Sequence, residues 1–544
     1  MSVAVSINGI DAQADRGASL FDIAQSVGVR VPTSCVKQGK CKECVVEIAE
    51  GAECLSAPTE FEQHLKGSFR LSCQSRINAD QGTIRCHTMR RSQMRIDCGA
   101  DGSALPHRSS LNPAVTRSGS QIFLDGREID SRSGPIHGLA VDLGTTTIVI
   151  RLYDLETGRL IADASFENPQ RFGGSDIMSR IAYDCSNGGK LLMRTVAGYM
   201  SHAIEDFPVD PRSIYEAVIV GNSTMRDLFF RQNVYSIGQS PYQSITEIEM
   251  AEGKRSTTSL TDTARRCLLP INPKARVNGG PIISGHVGAD AAACMLAVGL
   301  AHESRTVAIM DIGTNTELIL GNKDRILAAS CPAGPAFEGG AIHCGMPGLE
   351  GAIESVAIDD EGMFRLGVIG DVPPQGICGS GLVDMLGELL RTGRMNRMGR
   401  FEDDQPRIEI DPQHKIDFLE SDVNELAQAK GANVAGLQVI FSQYGIDFDD
   451  IDVFYLAGGF GRYLRVDAAR EIGLIPFISN DKIVQLGNAA IEGASIALLS
   501  KSARAELETL VKKVEHCRLE THPRFFDFFV EGCQFKPIES MQVS

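Results

Sequence analysis

Residues 32–45 read PTSCVKQGKCKECV, and residues 70–74 read RLSCQ. Five and then two residues separate Cys35, Cys41 and Cys44, and Cys73 follows after a further 28. A C-x5-C-x2-C…C pattern places three thiolates on one loop and a fourth on a distant segment, which is how a chain wraps a [2Fe–2S] cluster. Gly39 permits the tight turn that lets peptide N–H groups approach the sulfurs and stabilise their negative charge. Zinc also accepts four cysteines, but structural zinc sites usually come as two close pairs, and here one ligand stands alone. A disulfide framework fits poorly with 15 cysteines, an odd number, and no secretory signal.

Working outward, residues 1–90 read as one small domain. Residues 3–7 predict a strand, Asn8-Gly9 a hairpin turn, and the next residues the return strand. Residues 18–26 carry helical spacing of Leu20, Ile23 and Ala24, and residues 45–49 and 82–86 complete a mixed sheet. That order resembles the β-grasp ferredoxins, and the five-residue first gap is similar to the adrenodoxin-type subgroup, where the plant type has four.

The whole chain, 544 residues, is too long for one core. Its 43% apolar and 22% charged content is that of an ordinary globular protein. No run of 18 apolar residues predicts a membrane span, and the N-terminus lacks a basic and apolar leader, so the expectation is cytoplasmic. A net charge of −16 argues against binding a nucleic-acid backbone. The remaining cysteines show no paired metal spacing and read as reduced, mostly buried thiols. Residues 91–136, rich in Arg, Ser, Gly and Pro, read as a linker with one short strand at 120–124. Such a tether would let an iron–sulfur domain swing between electron donor and acceptor.

The second organising feature is a repeat. Residues 138–152, GLAVDLGTTTIVIRL, return in design as residues 306–320, TVAIMDIGTNTELIL. Asp142, Gly144, Thr145 and Thr146 therefore match Asp311, Gly313, Thr314 and Asn315, 169 residues later. A hairpin tip with a glycine brings backbone N–H groups close to a phosphate, and threonine hydroxyls add donors. The aspartates suit a water in a Mg²⁺ shell, since Mg²⁺ usually keeps several waters. Residues 453–461, VFYLAGGFG, are a buried strand running into Gly458, Gly459 and Gly461, where a ribose or adenine can lie against bare backbone. No P-loop competes, because no Gly-Lys pair is followed by Ser or Thr.

Two phosphate hairpins, a glycine-rich adenosine strand and small-residue helices resemble the actin, sugar kinase and heat-shock chaperone ATPases, whose fold is two related halves clasping ATP. The expected architecture is thus multidomain, α+β and α/β: β-grasp ferredoxin at 1–90, linker at 91–136, a middle domain at 137–206, and a large ATPase domain at 207–544. Such a ferredoxin joined to such an ATPase resembles the reductive activators of corrinoid enzymes. The stretches NPQ…GGSDIMSRI, GNSTM, HVGAD, DIGTNTE, AGPAFEG and GICGSGLVD look like that family's own motifs.

The resemblance implies ATP-assisted transfer of one electron from the cluster to an inactive Co(II) corrinoid, restoring Co(I). It implies Cys35, Cys41, Cys44 and Cys73 as cluster ligands, the two hairpins with Gly458–Gly461 as the ATP site, a low-potential electron donor, and a homodimer. It assigns no catalytic residue. The chain lacks D-x-H-x-x-G, so the corrinoid would sit on a partner, either a methyltransferase's corrinoid subunit or a methionine synthase. The competing expectations are a redox-regulated small-molecule kinase, with Asp311 as base, and an electron donor to an acyl-CoA reductase or dehydratase. His343 and Cys344 raise a second metal as an alternative to a structural pair.

Overall fold

The computed structural model describes residues 2–90, 110–402, 405–459, 461 and 463–538. β1 (Val3–Ile7) and β2 (Ile10–Ala14) form a hairpin. Asn8 and Gly9 turn it at φ of 53° and 80°, the left-handed region these two residue types tolerate. α1 (Leu20–Ser26) begins at Ser19, whose hydroxyl accepts from the Asp22 N–H. β3 (Val45–Glu50) leaves the cysteine loop, β4 (Phe69–Leu71) leads to Cys73, and β5 (Thr83–Thr88) closes the sheet. The order β2-β1-β5-β3-β4, with β1 and β5 parallel, is the β-grasp arrangement expected.

Residues 91–109, on which most of the tether reading falls, lie outside the described residues. The rest of the expected linker is a folded part of the large body. β6 (Val115–Ser118), β7 (Gln121–Leu124) and β8 (Arg127–Ser131) make an antiparallel meander. Only β7 had a legible apolar pattern; its neighbours, VTRS and REIDS, are largely polar. Val115 and Ile122 are nonetheless buried in the core of the large body, and Tyr215 Oη donates to Asp130 Oδ2 at 2.8 Å.

β9 (His137–Leu143), β10 (Thr147–Asp154) and β11 (Leu160–Glu167) are a second meander. After α2 (Ile177–Ser186) and α3 (Leu191–Glu205), β12 (Ile214–Val220) returns parallel to β9 on its free side. α4 (Ser223–Phe229), α5 (Ile245–Ala251), β13 (Leu260–Thr263), β14 (Arg276–Gly279) and α6 (Ala289–Val298) complete the first half. The boundary expected after residue 206 is therefore corrected: it cuts a single sheet, β11-β10-β9-β12-β14-β13. Only the first hairpin of that sheet carried a readable motif.

The second half repeats the plan. β15 (Val307–Asp311), β16 (Thr316–Gly321) and β17 (Ile326–Cys331) form its meander. An insertion follows: β18 (Ala352–Ile358), β19 (Phe364–Val368), β20 (Gly376–Ile377), α7 (Gly379–Arg391), β21 (Arg407–Asp411), β22 (Ile416–Leu419) and α8 (Glu420–Tyr444). β23 (Val453–Ala457) returns parallel to β15, then α9 (Val466–Glu471), β24 (Ile483–Gly487), α10 (Ala489–Leu499), α11 (Lys501–Leu510), β25 (Val514–His516) and α12 (Phe525–Gly532) follow. With edge strands β13 and β25 set aside, the two sheets have the same order.

α6 and α10 are apolar on nearly every face and pack against each other between the halves. A Cβ on Gly493 would lie 2.0 Å from the Ala293 carbonyl oxygen, so only glycine permits that crossing. Among the described residues no helix is long and apolar enough to cross a membrane.

Candidate functional site

The cysteine loop brings its sulfurs together as two pairs: Cys35 with Cys41, and Cys44 with Cys73. Among the described residues no group of three or more His, Cys, Asp or Glu side chains surrounds one ion. Four thiols in two pairs fit two irons better than a single tetrahedral zinc. Backbone N–H groups converge on the sulfurs. Burial alone raises the Cys35 thiol, yet N–H groups from Cys41, Gln38 and Lys40 outweigh it and hold Cys35 below its ordinary value. Contact with Cys44 brings Cys73 down to about 6, helped by Gln74 and the Gly39 N–H. Gly39 sits at φ 76°, and a Cβ there would meet Gln74 Nε2 at 2.9 Å. Val36, Lys37 and Lys42 also hold positive φ, so the loop carries backbone strain of the kind that functional loops store. Cys35 is the least buried of the four, and its neighbour Val36 is 82% exposed. His343 and Cys344 belong to no metal-holding group among the described residues. The other described cysteines are free thiols, most of them buried; Cys98 lies outside the described residues.

The four-cysteine domain is seated on the first half of the large body. Glu43, between two cluster cysteines, pairs with Arg194 of α3 at 2.5 Å. Glu47, just beyond Cys44, pairs with Arg171 at 2.5 Å. The Met89 N–H donates to Tyr199 Oη at 3.2 Å, and Arg30 pairs with Asp206 at 2.7 Å. Gly198 lets α3 approach Pro32, which a Cβ would meet at 3.0 Å. One continuous apolar cluster joins Val3, Val5 and Leu71 to Leu143, Val196 and Tyr199.

The nucleotide-type residues meet in a cavity of about 110 Å³ between the halves. Asp142, Gly144, Thr145, Thr146, Asp311, Gly313, Thr314, Asn315, Gly458 and Gly459 all line it. Gly461 does not: it closes its own turn, donating to the Gly458 carbonyl at 3.1 Å while its carbonyl accepts from Gln485. The hairpin tips touch, Thr146 Oγ1 to Thr314 Oγ1 at 2.7 Å, and Glu338 accepts from both hydroxyls. An adjoining, more apolar cavity shares Thr146, Glu338 and Gly459 and continues along Pro347, Ile369, Ser380 and Tyr463.

Carboxylates crowd the first cavity. Burial pushes Asp142 up to about 7, and Asp311 adds repulsion. Asp290 is pushed to about 7 and Asp311 to about 6, each chiefly by burial. Burial holds Glu317 well above the usual carboxylate range and raises Glu338. Such a set favours a cation or protons.

Comparison with known proteins follows the same division. A family described as "2Fe-2S iron-sulfur cluster binding domain" matches residues 5–78, "RACo middle region" matches 137–303, and "C-terminal domain of RACo the ASKHA domain" matches 305–543. The corrinoid activation enzyme RamQ of Eubacterium limosum is 29% identical, over 94% of this chain and 95% of that protein. A "[Co(II) methylated amine-specific corrinoid protein] reductase" of Methanosarcina barkeri is 25% identical over 73% of this chain and 76% of its own. The solved structure of a "Reductive activator for corrinoid,iron-sulfur protein" is 27% identical, covers 98% of both chains, and has a TM-score of 0.72.

Along nearly its whole length the chain is similar to reductive activators of corrinoid proteins. The stretches that carried the resemblance to this activator family also place side chains in the cleft. GNSTM supplies Asn222, whose amide donates to Thr145 Oγ1 at 2.8 Å; HVGAD supplies Asp290; TNTE supplies Glu317; AGPAFEG supplies Glu338. Asn488, at the start of α10, donates to Asp142 Oδ2 at 2.8 Å. These stretches carried the family resemblance without singling out Asn222, Asp290, Glu317 or Glu338, since nothing local says which polar side chain a hairpin far along the chain will meet.

Proposed function

We propose that this protein restores Co(I) in the corrinoid of a partner methyl-transfer protein, using one electron and ATP. The observation that carries this reading is the direct seating of the four-cysteine domain on the ATPase half that holds the first phosphate hairpin. Cys35, Cys41, Cys44 and Cys73 hold the [2Fe–2S] cluster, which when bound supplies a one-electron carrier refilled by a low-potential donor. The N–H groups around Cys35 and Cys73 stabilise sulfur charge, and Arg194 and Arg171 fix the domain through Glu43 and Glu47.

In this reading the hairpins at Asp142–Thr146 and Asp311–Asn315 would hold the phosphates, and Gly458 and Gly459 would leave room for the nucleoside. Mg²⁺, which usually keeps several waters, would be held near Asp142 and Asp311 and would neutralise phosphate charge. The corrinoid sits on a separate, cytoplasmic partner, a methyltransferase's corrinoid subunit or a methionine synthase, and the activator acts as a homodimer. For one electron about 59 mV is a tenfold change in equilibrium, and plant-type clusters lie near about −400 mV. Coupling of about 1–3 kcal/mol corresponds to roughly 45–130 mV, so nucleotide narrows an uphill gap and trapping by methylation completes the step.

The test is anaerobic. Purified protein with reconstituted cluster, a reductant, Mg-ATP and a Co(II) corrinoid protein should give the Co(I) absorption, and omission of either this protein or ATP should abolish it. Absence of Co(I) from every corrinoid partner tried, with an intact cluster spectrum, sinks the proposal.

A further inference from the structure

Residues 167–174, at the end of β11, touch both sites at once. Asn168 is fully buried and clamps the first phosphate hairpin: its backbone N–H donates to the Thr146 carbonyl at 2.6 Å and its side-chain amide to the Gly144 carbonyl at 2.7 Å. Three residues on, Arg171 pairs with Glu47 of the iron–sulfur domain at 2.5 Å and with Glu167 at 3.3 Å. Between them lies one tight turn, Pro169–Gly173, capped by the Asn168 side chain accepting from the Gln170 N–H at 2.9 Å.

This turn has little room to flex. Gln170 and Phe172 are buried, and a Cβ on Gly173 would meet Leu192 at 2.6 Å. A Cβ on Gly174, which sits at φ 131°, would meet Ser179 at 2.2 Å. Buried Arg180 staples the turn from behind, donating to the Gly174 carbonyl at 3.0 Å and to Gln170 Oε1 at 3.3 Å.

As it stands, Thr146 bridges the cleft to Thr314 and Glu338 around a cavity of about 110 Å³. Ligand clefts run to about 300–1,000 Å³, so a nucleotide entering between the tips would displace that bridge. A shift of the hairpin backbone at Thr146 would draw on its carbonyl's bond to Asn168, and the tightly packed turn would carry that displacement to Arg171.

We infer that residues 167–174 transmit nucleotide occupancy of the cleft to the seating of the iron–sulfur domain, with Asn168 and Arg171 as positioning residues at the two ends. The inference rests on the nucleotide reading of the cleft. Linkage makes it reciprocal: whatever factor nucleotide exerts on domain seating, seating exerts on nucleotide affinity.

The test uses full-length protein with reconstituted cluster and two separate readouts, equilibrium binding of a non-hydrolysable Mg-ATP analogue and amide hydrogen exchange of residues 32–47 and 191–206. The analogue should change exchange in those segments at least about fivefold, the lower end of typical coupling. Arg171→Glu and Glu47→Arg should each erase that change while the analogue still binds, and the double swap should restore it, which a merely structural role would not do. Binding without any exchange response in the parent protein, or a response undiminished in both single variants, overturns the inference. Failure of the analogue to bind at all overturns the nucleotide reading, and this inference with it.

Discussion

The two ATPase halves share a strand order but spend the same insertion point differently. Between the meander and the returning parallel strand, the first half inserts α2 and α3, and α3 seats the iron–sulfur domain through Arg194 and Tyr199. At the equivalent place the second half inserts β18 to α8, and its residues Ile369 and Ser380 wall the apolar cavity beside the hairpins. The duplication thus keeps the paired hairpins and specialises what hangs from them: one copy faces the four-cysteine domain, the other the adjoining apolar cavity.

The largest effect should come from the cargo rather than the clamp. Cys44→Ala removes a proposed ligand with 0% exposure and should abolish the visible absorption of reconstituted protein, whereas Cys54→Ala, outside the two cysteine pairs, should leave it intact. Retention of a full cluster spectrum by Cys44→Ala would refute the ligand assignment.

The clamp itself has a pH signature. Asp142 and Asp311 have folded-state values raised to about 7 and about 6 from 3.8, so the native state binds the extra protons. Their stabilising contribution is present below pH ~4 and is lost as pH rises through 6–7, a shift like that of Asp142 being worth about 4 kcal/mol. In calorimetry of nucleotide-free protein, Asp142→Asn should flatten the fall in Tm across that window, and more than Asp311→Asn does. Equal slopes in parent and variant would count against the burial argument.

Next in size, either hairpin aspartate changed to asparagine should weaken Mg-ATP binding about a hundredfold, roughly 2.7 kcal/mol. Titration calorimetry on both variants measures the symmetry of the halves directly; a much larger loss from one would show that the duplicated hairpins are not equal partners. Gly493→Val pushes a side chain into the α6–α10 crossing and should cost roughly 1–3 kcal/mol of stability in denaturant unfolding. The smallest effect belongs to Arg30, paired with Asp206 while about 45% exposed; Arg30→Ala should change stability by less than about 1 kcal/mol.

What the sequence disclosed was local chemistry. Cys35, Cys41 and Cys44 sit within ten residues, and each hairpin packs its glycine and hydroxyls into five, so spacing alone implies geometry. What it concealed was pairing at a distance. Arg194 meets Glu43 across 151 positions and Arg171 meets Glu47 across 124, and nothing near either arginine marks it as an interface residue. The same limit hid the meander at 115–131, whose polar strands are legible only once Val115 and Ile122 find the core, and it hid β12, which rejoins β9 beyond the expected boundary. Gly461 misled in the opposite direction: a glycine in the right run served the turn instead of the cleft.

The uneven burial of the four cysteines sets how the protein will age. Cys44 and Cys73 are shielded, while Cys35 stands partly open beside Val36 in sequence, itself 82% exposed. Oxidation follows thiolate character and access, so oxygen and chelators should strip the metal centre from the Cys35 edge inward. Shelf life in air then depends on how long that one open edge resists attack.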